Sequence, residues 1–129
     1  MIYVTDTHPL FWFLSNNPKL SKSALEIFEG AEKGEYTIII PSIVLAELMY
    51  ILEKKKSREK FKEILDRLEF ARNYDVYPLD TEILGKAYEI TNLKELHDRI
   101  VIATAKLLDC GVITKDEDIT KSREVECIW

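Results

Sequence analysis

The chain has 129 residues, enough for one domain and too few for two ordinary ones, and at this length it needs no disulfide or metal staple to fold. It is 47% apolar and 32% charged, with only four glycines and four prolines, which argues against disordered, collagen-like and linker-like chains. The formal charge of −5 counts against nucleic-acid binding by bulk positive charge, but not against a site that gathers negative charge around a metal.

Ile2 to Thr5 reads as a first strand, and Leu10 to Leu14 as a short apolar helix with Pro9 in its first turn. Ser21 can cap a helix carrying Ala24, Leu25, Phe28 and Ala31 on one face, with Gly34 ending it. Tyr36 to Ile40 has the β-branched composition of a buried parallel strand. Pro41-Ser42 opens a helix to about Leu52. Ser57 starts another through Phe61, Ile64, Leu65, Leu68 and Ala71. Val76 to Leu79 is a third strand, placed at a sheet edge by Pro78. Thr81 to Thr91 is helical, and a further helix runs from Asp98 to Cys110, stopped by Gly111. Val112 to Thr114 is a fourth strand and Glu126 to Trp129 a fifth. Such alternation predicts a parallel sheet with helices on both faces. No Gly-rich loop follows any strand, so neither a Rossmann fingerprint nor a P-loop is present.

No apolar run approaches a membrane span, and the opening Met1 to Asp6 lacks the basic region of a signal peptide. Cys110 and Cys127 have no metal-ligand spacing and fit a reducing, cytoplasmic setting.

Most of the 23 acids fall on helix faces that read as solvated. Glu47 does not: it is the only charge in PSIVLAELMYIL, residues 41–52, and Ile43 and Ile51 flank it at four residues on either side. A helix apolar all round is a buried one, where a lone carboxylate is costly unless paired or metal-bound. Asp6 follows the first strand directly, where parallel sheets bind ligands, and reads equally as the N-cap of the next helix. Asp98 opens the helix carrying Ile100 to Ala103 and by itself reads as a cap; His97 beside it reads as structural rather than as a ligand. Asp116 and Asp118 follow the fourth strand, where an acidic turn accounts for each alone.

Taken together, Asp6, Glu47, Asp98 and Asp116 fall at one edge of a parallel sheet. Carboxylates that close would repel, and a divalent cation removes the conflict. Oxygen ligands favour Mg²⁺ or Mn²⁺ over Zn²⁺, and such an ion supports hydrolysis of a phosphate ester.

The segments Val4-Thr5-Asp6-Thr7, Pro41-Ser42 to Ala46-Glu47-Leu48, Leu96-His97-Asp98-Arg99-Ile100 to Ala103-Thr104-Ala105, and Ile113-Thr114-Lys115-Asp116 resemble the PIN-domain ribonucleases. Within them, the pattern is most similar to the VapC toxins of toxin–antitoxin pairs, and it spans the whole chain as a single domain, residues 1–129. The resemblance implies a three-layer α/β/α sandwich with five parallel strands in the order 3-2-1-4-5. It implies an endoribonuclease dependent on Mg²⁺ or Mn²⁺, cytoplasmic, often a homodimer, and inhibited by a cognate antitoxin whose tail covers the acidic groove. Carried over by position, Asp6, Glu47, Asp98 and Asp116 match the family's acidic quartet, Asp118 is a further acid, and Thr114 matches a hydroxyl residue near the last acid. Arg99 is a candidate phosphate contact, or the partner of a carboxylate. The basic run Lys54-Lys55-Lys56-Ser57-Arg58 with Lys60 and Lys62 reads first as a solvated helix junction. A non-catalytic PIN-like module that binds RNA or protein is the competing reading. A haloacid-dehalogenase-type phosphotransferase wants a second Asp two residues after the first, where this chain has His8.

Overall fold

The computed structural model describes residues 1–129. β1 (Ile2–Thr5), β2 (Thr37–Pro41), β3 (Tyr74–Tyr77), β4 (Gly111–Ile113) and β5 (Cys127–Ile128) form one sheet in the order β3-β2-β1-β4-β5. Every pairing is parallel. α1 (Thr7–Leu14), α2 (Lys22–Glu32), α3 (Ser42–Lys54), α4 (Glu59–Phe70), α5 (Thr81–Glu89), α6 (Leu96–Leu108) and α7 (Glu117–Ser122) complete the three-layer α/β/α arrangement expected from the sequence. No helix is long and apolar enough to cross a membrane.

Ile38, Ile39 and Ile40 of β2 are all buried, as a strand covered on both faces requires. They join Val4, Val112 and Ile113 in a core that takes in Leu10, Phe28, Val44, Leu48 and Val101 from the helices. A smaller cluster, centred on Ile83, Ile100, Ile102 and Ile119, packs α5, α6 and α7 together. Phe28 lies flat on Phe13, with ring centroids 4.7 Å apart, and locks α2 to α1.

Several boundaries differ from the sequence expectation for identifiable reasons. β3 is an edge strand as predicted, but it runs over Tyr74–Tyr77 rather than Val76 to Leu79. Pro78 has no N–H for the ladder, and the Leu79 N–H donates to the Ser42 hydroxyl instead (3.0 Å). α6 begins at Leu96, so Asp98 stands in its first turn and is not its cap. That helix ends at Leu108 rather than at Cys110, because Asp109 takes the left-handed conformation (φ 52°) that closes it. Gly111 instead lets β4 and β5 approach: a Cβ there would stand 2.8 Å from Ile128 Cδ1. α7 occupies what reads in sequence as an acidic turn. α3 is not buried all round, since Met49 and Tyr50 lie in water, Tyr50 at 56% exposure. On α2, Ile27 is buried where Leu25 is exposed.

Replacing Phe28 by Ala should cost about 3–5 kcal/mol of stability, because its cavity opens beneath the α1–α2 contact. Urea unfolding reads this directly, and a loss under about 1 kcal/mol would show that the stack contributes little.

Candidate active site

The order of the sheet puts β1 at its centre, between β2 and β4. The segments leaving β1, β2 and β4 therefore converge at the carboxyl edge, where α6 also begins. Asp6 is fixed there by its backbone and both carboxylate oxygens. Its N–H donates to the Ile113 carbonyl (3.0 Å). Oδ1 caps α1 by accepting the Thr7 N–H (2.8 Å), and Oδ2 accepts the Thr114 hydroxyl proton (2.8 Å). The Thr114 hydroxyl in turn accepts the Asp116 N–H (3.0 Å). Asp116 caps α7 through the Ile119 N–H (2.9 Å). Both readings of Asp6 are thus compatible: one carboxylate ends a helix and faces the sheet edge.

His97, from the first turn of α6, lies between Asp6 and Glu47. Its Nε2 is 3.2 Å from Asp6 Oδ1 and 3.3 Å from the Thr7 hydroxyl, and its Nδ1 is 3.0 Å from Glu47 Oε2. Each ring nitrogen faces a carboxylate oxygen. Only the imidazolium can donate to both. Glu47 is half-buried, at 34% side-chain exposure, and its one close partner is this ring. The geometry gives His97 a role that its sequence context did not suggest. The available signal was its position next to Asp98.

Asp98 is 6% exposed, and its carboxylate accepts no hydrogen bond within the protein. Burial first, then the charges of Asp116 and Asp6, push its pKa up to about 7. Burial alone would lower the His97 pKa. The hydrogen bond to Asp6 and the charges of Glu47, Asp6 and Asp98 outweigh it and raise the value above 6.5. For Asp6 burial acts upward, but hydrogen bonds from His97, Thr114 and Thr7 bring the net value below 3.8. The pocket thus holds one satisfied carboxylate, one paired through an imidazole, and one buried without a hydrogen bond, which the His97 charge only partly offsets.

The donor set suits a hard divalent cation: four carboxylates, one of them without a partner, and no thiolate among them. In the structure His97 fills the space between two of them, and no three His, Cys, Asp or Glu side chains stand close enough together to hold one ion. Asp118 is exposed and shares with Asp98 a polar cavity of about 490 Å³, which also meets Lys94, Glu95 and Lys121. Arg99 pairs with no carboxylate. Its guanidinium reaches the Lys94 carbonyl at 3.5 Å, and its buried Nε has no partner. The basic run between α3 and α4 is exposed, and Lys55, Ser57 and Lys60 border a separate cleft of about 380 Å³ floored by Phe11 and Leu14.

The parallel order β3-β2-β1-β4-β5, with Asp6 and Asp116 just beyond β1 and β4, makes the chain an α/β/α domain with an acidic carboxyl edge. The chain matches the PIN domain family over residues 3–124 and belongs to that family. Among solved structures it is similar to VapBC2 from Rickettsia felis bound to a promoter DNA fragment, at 22% identity and TM-score 0.74, covering 98% of this chain and 97% of the other. DNA-bound VapBC from Salmonella typhimurium is similar at 18% identity and TM-score 0.74, covering 98% and 96%. VapC20 of Mycobacterium tuberculosis, a toxin that cleaves the sarcin–ricin loop, is similar at 13% identity and TM-score 0.73, covering 98% of each chain. No curated protein sequence matches the chain significantly.

The pocket's charge makes stability depend on pH in a defined direction. In the metal-free fold Asp98 keeps a proton that the unfolded chain has released above 3.8, so folding loses free energy as pH rises towards about 7. His97 acts in the same direction: its raised value stabilises the fold below 6.5, and that contribution is lost as pH rises through the folded value. The metal-free protein should therefore melt lower at about pH 8 than at about pH 5, and Asp98→Asn should melt above the parent by a wider margin at the higher pH. Identical parent and variant melting curves at both pH values would contradict the charge assignment.

Proposed function

We propose that the protein is a divalent-metal-dependent endoribonuclease, hydrolysing RNA phosphodiester bonds, and the toxin of a toxin–antitoxin pair. The observation that carries this reading is the buried Asp98, without a hydrogen bond and repelled by Asp6 and Asp116, at the carboxyl edge of a PIN-domain sheet. Asp6, Glu47, Asp98 and Asp116 would hold Mg²⁺ or Mn²⁺, with Asp118 joining from the adjoining cavity. A cation bound there supplies a water of lowered pKa and neutralises charge on the phosphoryl group. Thr114 orients Asp6 through its hydroxyl and fixes the Asp116 backbone. Arg99 would meet a substrate phosphate on leaving the Lys94 carbonyl, the weak contact that now holds it.

The two VapBC neighbours support a cognate antitoxin as partner. Homodimerisation and a cytoplasmic setting complete the proposal. The non-catalytic alternative has one observation in its favour: His97 occupies the space between Asp6 and Glu47, and no three ligand groups converge as the pocket stands.

The test is cleavage of a single-stranded RNA by the purified chain. Cutting should require Mg²⁺ or Mn²⁺ and stop with EDTA. Asp98→Asn should slow it at least ~100-fold, the upper range for disturbing a metal's outer-shell partners. Asn is nearly the same size, so the fold should persist. Cutting that survives chelation would reject metal catalysis, and a chain that never cuts RNA with either ion would favour the non-catalytic module.

A further inference from the structure

The acidic pocket poses a problem for a polyanionic substrate. Its carboxylates repel phosphates, and the chain as a whole carries −5. Something beside the pocket must hold the strand. The densest basic run lines a separate cleft, where Lys55 stands over Phe11 and Ser57 and Lys60 form the wall.

A different cluster adjoins the pocket directly. Trp12 lies six residues along α1 from its cap Asp6, a rise of about 9 Å. His8, one turn earlier on the same helix face, has its ring centroid 5.5 Å from that of Trp12. Trp129, which follows β5, has its ring centroid 5.8 Å from that of Trp12. Both neighbours are tilted, by 52° and 58°, so neither lies flat on the indole. What lies over it is cationic. The Lys115 ammonium is 5.8 Å from the Trp12 ring and the Lys19 ammonium 6.0 Å. These lengths are at the outer limit of a cation–π contact, so both groups are easily released to a stronger anion. Neither lysine forms an ion pair with a carboxylate.

Lys115 joins this cluster to the pocket. Thr114 before it bonds Asp6, Asp116 after it caps α7, and the side chain between them reaches over Trp12. Beside Trp12 there is also a cavity of about 230 Å³, bordered by Asn16, Asn17 and Pro18. An aromatic face, two free ammonium groups and flanking amides are the parts of a site for single-stranded nucleic acid. The ring takes a base by its π-face and the lysines take the phosphates on either side.

We propose that Trp12, flanked by His8 and Trp129 and overlain by Lys19 and Lys115, is a base-stacking subsite for single-stranded RNA, holding a nucleotide next to the one whose phosphate lies at the acids. The proposal rests on the ribonuclease reading for its substrate class. Stacking tolerates any base, so this subsite selects unpaired strand rather than sequence. A paired base has its face covered and does not enter.

The experiment is equilibrium binding of a fluorescein-labelled single-stranded RNA of about twelve nucleotides to the full chain in EDTA, followed by anisotropy and by tryptophan quenching. Trp12→Ala should weaken binding about tenfold, while Trp12→Phe should retain most of it. Lys115→Ala should make log K against log salt shallower by about 0.7, the share of one phosphate on a single strand. A blunt RNA duplex should show no dependence on Trp12. Lys106→Ala, whose side chain pairs with Glu124, is the control and should bind as the parent does. A folded Trp12→Ala that binds like the parent overturns the proposal. So does a parent that binds no RNA, or a Trp12→Ala whose only change is its sedimentation as a smaller species, which would assign the cluster to protein contact. If Trp12→Ala fails to fold, the salt slope of the exposed Lys115 variant decides. RNA binding that depends on Trp12 without cleavage by the parent would sink the ribonuclease reading and keep the subsite. Cleavage indifferent to Trp12 would do the reverse.

Discussion

An imidazole held between two carboxylates organises the carboxyl edge of this sheet. His97 reaches from α6 to Asp6 at the end of β1 and to Glu47 on α3, so one ring links three elements. The link works because the ring can carry a positive charge where two acids would otherwise repel. Asp98 forms no ion pair with the ring, whose charge only partly offsets the burial and the Asp116 and Asp6 charges acting on that acid. Buried and unpaired, it is pushed up to about 7. The pocket is therefore partly neutralised by its own imidazole and still gathers negative charge that suits a counter-ion.

The sheet makes this arrangement possible through register. Thr5 pairs with Ile113, so Asp6 and Thr114 leave their strands side by side and their side chains meet at 2.8 Å. A shift of one residue in β4 would send the Thr114 hydroxyl to the opposite face. Gly111 protects that register by letting β5 close on β4. Beyond the acids, the same loop delivers Lys115 to Trp12, so a single turn serves both the anionic pocket and the cationic, aromatic surface beside it.

Much of the fold was legible because strands and helices here obey simple patterns. The β-branched runs at β1, β2 and β4 and the capping residues Ser21 and Asp6 all acted locally, and local chemistry is what a sequence displays. The errors arose where a residue serves a distant partner. Asp98 reads as a cap from its neighbours, yet it stands in the first turn of α6, where burial and then the charges of Asp116 and Asp6 raise its pKa. The apolar composition of α3 predicts burial all round, yet Met49 and Tyr50 face water and leave Glu47 on a half-buried stripe. His97 reads as structural because nothing within a few residues reveals that Asp6, 91 positions away, comes to 3.2 Å.

The charge on His97 tests this account most directly. With only two histidines in the chain, both imidazoles can be followed by NMR through a pH titration of the metal-free protein. If the ring is held as an imidazolium between Asp6 and Glu47, its midpoint lies above 6.5, both ring nitrogens carry protons below it, and Asp6→Asn brings the midpoint down. Burial alone acts in the other direction. A His97 midpoint at or below 6.5 in the parent would contradict the account.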